Sequence, residues 1–470
     1  MTPSAQAGNI GSSGVTAGRD EHDVAGAGGG TGTMHTNAAD GGSDSVGGGT
    51  SNGKGEVAGC VSQLRANVER IITASSCPDV CPMTVVVPRV GLPRMESQGQ
   101  RILLVDDGIV FAAATRYRSR TLAFLKAETD GDYHAYLPSF EMPREAYDVL
   151  TAVDDASRYV RGSELELAEP FANKFASRLS ETWLGHGSDI LAFLAEELPE
   201  VQFVVSESKL ELDSICDVLE EETTENGWVA LEQHFAAMQR SIIDAILRYG
   251  VNYVHLSWGL EHDGLVKDFE RDCGQTPSRA VTTRILRLYI DLFESITAQT
   301  TPGAHGRPQS VVIFQAGASA TTPEDFILDC ADIPGRMRVY SSSYTGYGVP
   351  IGGSHDYALL RPRELAAKGC NDLYVVMGYD DILGAPRPRS FRSLTFGLGP
   401  APRPAWPPAP SFANPVGLAH FIHLSLQYPE ETPAWWMSRL TDTWSKPIVD
   451  PLLYRQFPSS TYRYECDSVP

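Results

Sequence analysis

Residues 231–259 read LEQHFAAMQRSIIDAILRYGVNYVHLSWG, a helical pattern that runs directly into a strand pattern. Up to Tyr249 the apolar side chains recur every three to four residues, as they do on one face of a helix. From Val251 to Leu256 they form an almost continuous run, VNYVHL, which is typical of a strand covered on both faces. The stretch therefore predicts a long helix that leads into a buried strand of a parallel sheet.

The same alternation continues in both directions from this stretch. Strand-like and helix-like runs follow one another in the order RILLVDDGI (101–109), HGSDILAFLAEEL (186–198), VQFVV (201–205), VTTRILRLYIDLFESITAQT (281–300), QSVVIFQAGAS (309–319) and SFANPVGLAHFIHLSLQY (411–428). Strands separated by helices of this length need crossover connections, which place the helices on the faces of a parallel sheet. The predicted fold class is α/β, with three layers: a mostly parallel central sheet flanked by helices.

The charge of the chain excludes some classes of partner. Its 470 residues carry 38 Lys and Arg against 59 Asp and Glu, which gives a formal net charge of −21. Nucleic acids and anionic membranes are bound through clustered Lys and Arg, and no such cluster stands out here. We therefore expect neither a nucleic-acid partner nor a membrane partner. If the acidic stretch 207–225 borders the site, it favours Lys or Arg in substrates.

The first residues of the chain and the lack of a long apolar run favour an intracellular protein over a secreted one. The first residues, MTPSAQAGNIGSSG, lack the charged and apolar regions of a secretory signal, and no run approaches the roughly 18 apolar residues of a transmembrane segment. The eight cysteines are too dilute for a disulfide scaffold, so reduced thiols, or one local bridge, are expected.

Unusual residues stand where three of the predicted strands end. Asp106 and Asp107 follow ILLV, Ser257 follows VNYVHL, and Ala316 and Gly317 follow VVIFQ. In an open parallel sheet, ligands bind outside the carboxyl ends of the strands. The sequence therefore predicts a site at this edge of the sheet, although the rule does not name its chemistry.

The motifs VDDGI, LGHGSDILAFLA, VHLSWG, FQAGAS and PSFANPVGLAHF, taken in order, resemble those of the subtilisin-like serine peptidases, the subtilases, over roughly residues 100–426. The family pattern is Asp-Thr/Ser-Gly at a strand end, His-Gly-Thr-His opening a helix, Ser-Leu-Gly and Ala-Gly-Asn at two later strand ends, and Gly-Thr-Ser-Met-Ala-x-Pro opening the central helix. The order Asp, His, Ser is also the subtilisin order. The resemblance implies a three-layer subtilisin-like fold and a serine endopeptidase that acts through an acyl-enzyme.

Carried over residue by residue, the resemblance makes Asp106, His186 and Ser411 a catalytic triad. Asp106 would orient His186, His186 would act as general base and acid, and Ser411 would be the nucleophile, with its backbone N–H in the oxyanion hole. The groove for a peptide or protein substrate would involve Ser257, Trp258, Gly259, Ala316 and Gly317. No cofactor is predicted. Calcium sites are common in the family, but no run of oxygen ligands identifies one here.

The chain departs from the family pattern at places that matter chemically. Ala318 stands where the family has the oxyanion-hole Asn, and alanine has no side-chain donor. Losing one such donor costs about 10²–10³-fold in turnover. Gln315, Ser319 or a residue of 341–353 would have to supply the donor instead.

Two further departures keep an inactive relative open as an alternative. Ala409 and Pro410 replace the Gly-Thr before the nucleophile, and Asp189 replaces the second His of the helix motif. A subtilase groove binds its substrate as an added strand, so peptide binding can persist without catalysis. A catalytically impaired or inactive, peptide-binding relative is therefore the second interpretation.

A third interpretation belongs to another class of protein. RILLVDD also opens phosphoacceptor receiver modules, in which paired acids hold Mg²⁺. Asp154 follows Asp106 at 154 − 106 = 48 positions and would be the acceptor, and Lys209 would be the lysine of such a site. This interpretation leaves His186 and the helix at Ser411 unexplained.

Composition and resemblance together divide the chain into four segments. Residues 1–58 hold 16 of the 43 glycines and almost no large apolar side chain, so this Gly/Ser-rich tail is expected to be disordered. Residues 59–99 form a short N-terminal segment, and 100–428 form the peptidase domain, with a loop-rich insertion at 354–408. Residues 429–470 form a C-terminal extension whose tryptophans are expected to pack on the body.

Overall fold

Apolar side chains that alternate between two faces build the central sheet of this protein. The computed structural model describes residues 66, 82–86, 100–106, 109, 117, 120–128, 131–137, 139–143, 186–198, 201–206, 215–220, 226–257, 259–303, 306–317, 327–343, 373–377 and 410–444. From residue 82 onward they form the strands and helices of one compact unit, Ser51–Pro470.

The strands are β1 (Pro82–Val86), β2 (Arg101–Val105), β3 (Thr121–Ala127), β4 (Tyr133–Tyr136), β5 (Ser139–Pro143), β6 (Gln202–Ser206), β7 (Tyr253–Leu256), β8 (Thr300–Pro302), β9 (Pro308–Ser310), β10 (Val312–Ala316), β11 (Arg336–Ser343) and β12 (Leu373–Met377). The helices are α1 (His186–Glu197), α2 (Asp217–Glu220), α3 (Asn226–Tyr249), α4 (His262–Cys273), α5 (Arg279–Thr297), α6 (Pro410–Gln427) and α7 (Pro433–Trp444). Within the described ranges, none of these helices is both long and apolar enough to cross a membrane.

Eight of the strands form one sheet, in the spatial order β12-β11-β10-β7-β2-β6-β3-β4. Neighbouring strands are parallel except β3 and β4, which form an antiparallel pair at one edge. Two small antiparallel sheets join β1 to β5 and β8 to β9. A mostly parallel sheet flanked by helices confirms the predicted α/β class.

The direction in which the chain crosses the sheet reverses between β2 and β7. From β2 the chain continues to β3 on one side, and from β7 it continues to β10 on the other side. In open α/β sheets, ligands bind at such a reversal, outside the carboxyl ends of the strands. The fold therefore favours a site beside Asp106, which follows β2, and Ser257, which follows β7.

The two faces of the sheet carry different helices. On one face, residues such as Leu104 and Tyr253 share a core with α1, α6 and α7, and we call it the α6 face. On the other, Leu103 and Val254 share a core with α3, α4 and α5, and we call it the α3 face. Successive residues of a strand point to opposite faces, so the position in the strand decides which helices a side chain meets.

Helix α7 continues the core beyond residue 428. Trp436 is 3% exposed and belongs to the same core as Phe421 of α6, with ring centroids 5.8 Å apart. Its Nε1–H donates to the carbonyl oxygen of Tyr428 at 3.0 Å. The expectation that tryptophans of the C-terminal extension pack on the body is confirmed for Trp436.

The interval 354–408, for which the sequence predicts a loop-rich insertion, supplies an edge strand of the sheet. Its apolar run LYVVM forms β12, which pairs parallel with β11. Five residues are enough for a strand even between flanks rich in Pro and Gly, so the prediction is wrong at 373–377. The rest of this interval, like the tail 1–58, lies outside the described residues.

Disulfide bonds join the described cysteines, contrary to the expectation of reduced thiols or one local bridge. Cys216 and Cys273, which are 57 positions apart, form one bond. Cys330 also takes part in a disulfide bond. No described cysteine is free. The spacing of cysteines along a chain does not reveal which of them the fold brings together, and this is why the expectation is wrong.

Candidate functional site

Asp106 is buried at the reversal of the sheet. It follows β2 directly, is 1% exposed, and donates its N–H to the carbonyl oxygen of Ser206 at 3.2 Å, which continues the pairing of β2 with β6. Since Ile102 and Leu104 lie on the α6 face, the alternation of the strand directs the Asp106 side chain to that face as well. A carboxylate buried there needs a charged or hydrogen-bonding partner.

His186 supplies a partner for this carboxylate. It is the first residue of α1, and its Nδ1 lies 2.9 Å from Oδ1 and 3.1 Å from Oδ2 of Asp106. The side chain of His186 is 30% exposed, so the imidazole lies between the buried carboxylate and the surface. When Nδ1–H donates to the carboxylate, Nε2 of the neutral ring carries the lone pair that a general base needs.

Arg120 holds the other end of the helix that begins with His186. Its guanidinium is buried and donates to the carbonyl oxygens of Leu198 at 3.0 Å and Ala195 at 2.9 Å. The side chain itself is 3% exposed and lies near the rings of Tyr117 and Phe203. Carbonyls at a helix C-terminus have no partner within the helix, and a cation there also matches the helix dipole. Arg120 thus fixes α1 to the sheet.

Ser411 is the second residue of α6 and is half-buried. Helix α6 packs against α1, the helix that carries His186. It begins at Pro410, so Pro415 lies inside the helix, beyond its first turn. Because proline has no N–H, no helical hydrogen bond from Pro415 reaches the carbonyl of Ser411. The N–H of Ser411 belongs to the first turn, whose N–H groups have no acceptor within the helix.

Asn414 joins the first turns of α6 to the sheet by hydrogen bonds. It is fully buried, and its Nδ2 donates to the carbonyl oxygens of Leu256 at 2.9 Å and Phe314 at 3.0 Å. Leu256 is the last residue of β7 and Phe314 belongs to β10, so the first turn of α6 lies over two neighbouring strands. The sequence analysis missed this residue. Its signal is an amide placed between apolar residues in a segment expected to be buried.

His255 is a second imidazole close to the Asp106–His186 pair. It lies in β7 on the α6 face, is fully buried, and has its Nδ1 3.3 Å from the Oγ of Ser257. Burial, with a smaller contribution from the positive charge that His186 can carry, lowers the pKa of His255 to about 3. His255 is therefore neutral near pH 7 and adds no charge to the site. A histidine inside the apolar run VNYVHL is the signal that could have revealed it.

The residues predicted to line a substrate groove follow the strand ends. Ser257 comes directly after β7 and is 8% exposed, and Gly259 stands two positions further on. Ala316 ends β10, and the N–H of Gly317 donates to a β11 carbonyl at 2.8 Å, which continues the pairing of the two strands. Trp258 lies outside the described residues.

Gln315 is not the alternative oxyanion donor. Its side chain is fully buried, and its Oε1 accepts a hydrogen bond from Nη1 of Arg336 at 3.2 Å. It stands two residues after Ile313, which lies on the α3 face, so the strand directs it away from α6. The expectation for Gln315 is therefore wrong. Other candidate residues lie outside the described part of the chain: Asp107, Asp154, Lys209, Ala318, Ser319, 344–353 and Ala409.

Glu261 ties together two segments that leave this edge of the sheet. It is 2% exposed, and its carboxylate accepts hydrogen bonds from the backbone N–H groups of Ile327, at 2.7 Å, and Asp329. Burial raises the pKa of Glu261 to about 8, with a further contribution from the negative charge of Asp329. No local pattern in the sequence indicates this link, so the sequence analysis missed Glu261. Its side chain does not cap α4.

The described residues do not form a candidate metal site. In that part of the chain, no group of three or more His, Cys, Asp or Glu side chains could hold a metal ion. The polar centre of the site is instead the cluster of Asp106, His186, His255, Ser257 and Asn414 around the carboxyl ends of β2 and β7.

Comparison with known proteins identified no relative of this chain. No family model, no curated protein and no solved structure matches this chain. The chemistry of the site must therefore follow from its own residues and their geometry.

Proposed function

We propose that this protein is a subtilisin-like serine endopeptidase, with Ser411 as nucleophile, His186 as general base and acid, and Asp106 as the residue that orients His186. The observation that carries the proposal is the contact of 2.9 Å and 3.1 Å between His186 Nδ1 and the carboxylate of Asp106. The pair lies where the strand order reverses, and α6, which begins beside Ser411, packs against α1.

Each residue has a defined part in the proposed reaction. The Oγ of Ser411 bonds to the carbonyl carbon of the substrate while its proton passes to Nε2 of His186. His186 then gives this proton to the leaving amine, and the acyl group stays on Ser411. Water, deprotonated by His186, attacks the acyl carbon, and the proton returns to Ser411. Asp106 keeps its charge throughout and stabilises the imidazolium.

The start of α6 supports stabilisation of the oxyanion. Negative charge develops on the carbonyl oxygen of the substrate when Ser411 attacks, and preorganised N–H groups stabilise it. The N–H of Ser411 lies in the first turn of α6, at the positive end of the helix dipole. This backbone donor does not depend on the side chain at position 318.

The receiver interpretation has less support from the topology. Receiver modules share the flavodoxin-like strand order, in which the second parallel strand lies beside the first. Here β6 separates β3 from β2, and it pairs with both. The Asp106 carboxylate also bonds to an imidazole, whereas a receiver would use it to hold Mg²⁺.

Ala318 favours a second candidate function, a peptide-binding relative without turnover. Such a protein would keep the groove along β7 and bind an extended peptide as an additional strand. Asp106, His186 and Ser411 would then be retained without a complete oxyanion hole.

Cleavage of casein tests the proposal. The purified wild type is expected to degrade casein, whereas the Ser411→Ala and His186→Ala variants are expected to show no cleavage above background. Casein left intact by a folded wild type that still binds casein peptides would support the second candidate. Cleavage that persists in Ser411→Ala would contradict the assignment of the nucleophile.

A further inference from the structure

Asn414 is the residue through which the helix of the proposed nucleophile is attached to the sheet. Its Nδ2 donates one hydrogen bond to β7, at the carbonyl oxygen of Leu256, and one to β10, at that of Phe314. Both N–H bonds of one amide are thus used on two neighbouring strands. Asn414 is three positions after Ser411, and residues so spaced lie on the same side of a helix.

The two hydrogen bonds of Asn414 join α6 directly to the sheet. The distances are 2.9 Å and 3.0 Å, and the side chain is fully buried. A side chain fixed by two hydrogen bonds can neither slide along the strands nor rotate about them. The start of α6, and with it Ser411, therefore has one position relative to β7, which ends beside Asp106 and His186.

Among the described residues, the amide of Asn414 uses its two N–H bonds but not its oxygen. Its Oδ1 and the Nε2 of His255 are both buried and make no hydrogen bond among the described residues. A buried polar atom without a partner costs about 1–3 kcal/mol. An apolar residue at position 414 would avoid one of these costs but would lose both bonds to the strands.

We infer that Asn414 is a positioning residue for the reaction, which holds Ser411 at the distance from His186 that proton transfer requires. The inference rests on the proposed function, because it assigns to Asn414 the placement of that nucleophile. A displacement of about 1 Å in such a site costs about 10²-fold in rate. The loss of this attachment should therefore lower the reactivity of Ser411 rather than the affinity for substrate.

The chain offers a matched control at the opposite end of β7. Asn252 is also fully buried, and its Nδ2 also donates two hydrogen bonds, to Thr301 Oγ1 at 3.0 Å and to the carbonyl oxygen of Pro302 at 2.9 Å. It stands before the first residue of β7, away from the site. Asn252→Asp removes the same two donors without touching Ser411.

The test is the rate of reaction with a fluorophosphonate probe, measured over a range of probe concentrations on the full chain. Asn414→Asp is expected to lower the maximal rate of labelling about 10- to 100-fold, with the probe concentration at half-maximal rate unchanged. Asn252→Asp is expected to lower the free energy of unfolding but to keep the wild-type labelling rate. Asn414→Ser, with one donor, should react at an intermediate rate.

Three results would overturn the inference. The first is an unchanged maximal rate in Asn414→Asp, and the second is loss of folding in both Asn414 variants, since the residue would then hold the fold and not the nucleophile. The third is no labelling of the folded wild type, which would also remove the proposed function. The first two leave that function intact, so the two failures can be told apart.

Discussion

At the scale of single residues, the site is a group of polar side chains buried in an otherwise apolar face. Asp106, which follows β2, His255, which lies in β7, and Asn414, which lies in α6, are each at most 1% exposed. The core on this face of the sheet is otherwise built from apolar side chains. Burying a charge or an amide is unfavourable unless it is paired. Asp106 is paired with His186, and Asn414 with two carbonyls, so these two costs are largely offset by contacts that also fix the geometry.

Replacing Asp106 by Asn should abolish most activity without unfolding the protein. Asparagine has the same shape, but it can hold the imidazole in the wrong tautomer and cannot stabilise its charged form. The expected loss is about 10⁴-fold in turnover. Casein cleavage measures it, with circular dichroism as the check on folding. A loss of less than tenfold in a folded variant would show that the contact with His186 has no catalytic role.

The stability of the protein should depend on pH through His255. Its pKa is about 3 in the folded state and 6.5 ordinarily, so between these values the unfolded state binds the additional proton. The contribution of His255 to stability is therefore expected to fall as the pH drops from 6 to 4, and His255→Gln should remove up to about 1.4 kcal/mol per pH unit of it. Glu261, whose pKa burial raises to about 8, contributes with the opposite sign above pH 4.5, so the test is the difference in slope between the two proteins. Urea denaturation at several pH values measures it. Equal slopes in both proteins would contradict the buried, neutral imidazole.

At the scale of elements, the site depends on two helices that approach the same edge of the sheet. The helix α1 presents His186, and the helix α6 presents Ser411. Each has its own attachment to the sheet: Arg120 for α1 and Asn414 for α6. Helices joined to a parallel sheet by long connections need such contacts, because the connections do not fix their position along the strands.

Arg120 is expected to be essential for the stability of α1. Arg120→Met would remove the charged donor from the buried carbonyls of Ala195 and Leu198, and Leu198 would keep only its bond from the N–H of Val201. This loss should lower the free energy of unfolding by about 1–3 kcal/mol. Urea denaturation measures the loss. Arg271→Met is the matched control, because Arg271 is 68% exposed and its ion pairs should contribute less than about 1 kcal/mol. Equal effects of the two substitutions would contradict the role of Arg120.

The elements could be predicted from the sequence more fully than their arrangement. Runs such as VQFVV and VNYVHL are strands because only apolar residues fit a sheet covered on both faces, and this is visible in one sequence. The strand order depends on which helices pack on which face, which no local pattern records. The contact of Asp106 with His186 could be anticipated through the family motif. The bonds of Asn414 and Glu261 reach partners over 60 residues away, so spacing alone could not reveal them.

At the scale of the whole molecule, disulfide bonds change the expectation for the compartment. Cys216 is bonded to Cys273, and Cys330 takes part in another bond. Disulfides persist mainly in oxidising compartments. The expectation of an intracellular protein, which was drawn from the amino-terminal residues and the lack of a long apolar run, therefore stays a prediction that these bonds do not support. The disulfide bonds themselves can be checked by comparing the intact mass before and after reduction, since the reduction of two bonds adds at least four hydrogens.

The bond between Cys216 and Cys273 should stabilise the α3 face. It closes a loop of 57 positions, and a disulfide of this span contributes about 4 kcal/mol by restricting the unfolded chain. The double variant Cys216→Ser, Cys273→Ser should therefore unfold at a lower urea concentration than the wild type. A variant with an unchanged midpoint would show that the two cysteines are not bonded in solution.

The most direct test of the central claim is to find which residue reacts with a fluorophosphonate. After labelling of the folded wild type, proteolysis and mass spectrometry should place a single phosphonyl group on the Oγ of Ser411, and His186→Ala should lack it. An adduct on another serine, or no adduct on the folded wild type, would contradict the assignment of Asp106, His186 and Ser411 as a catalytic triad.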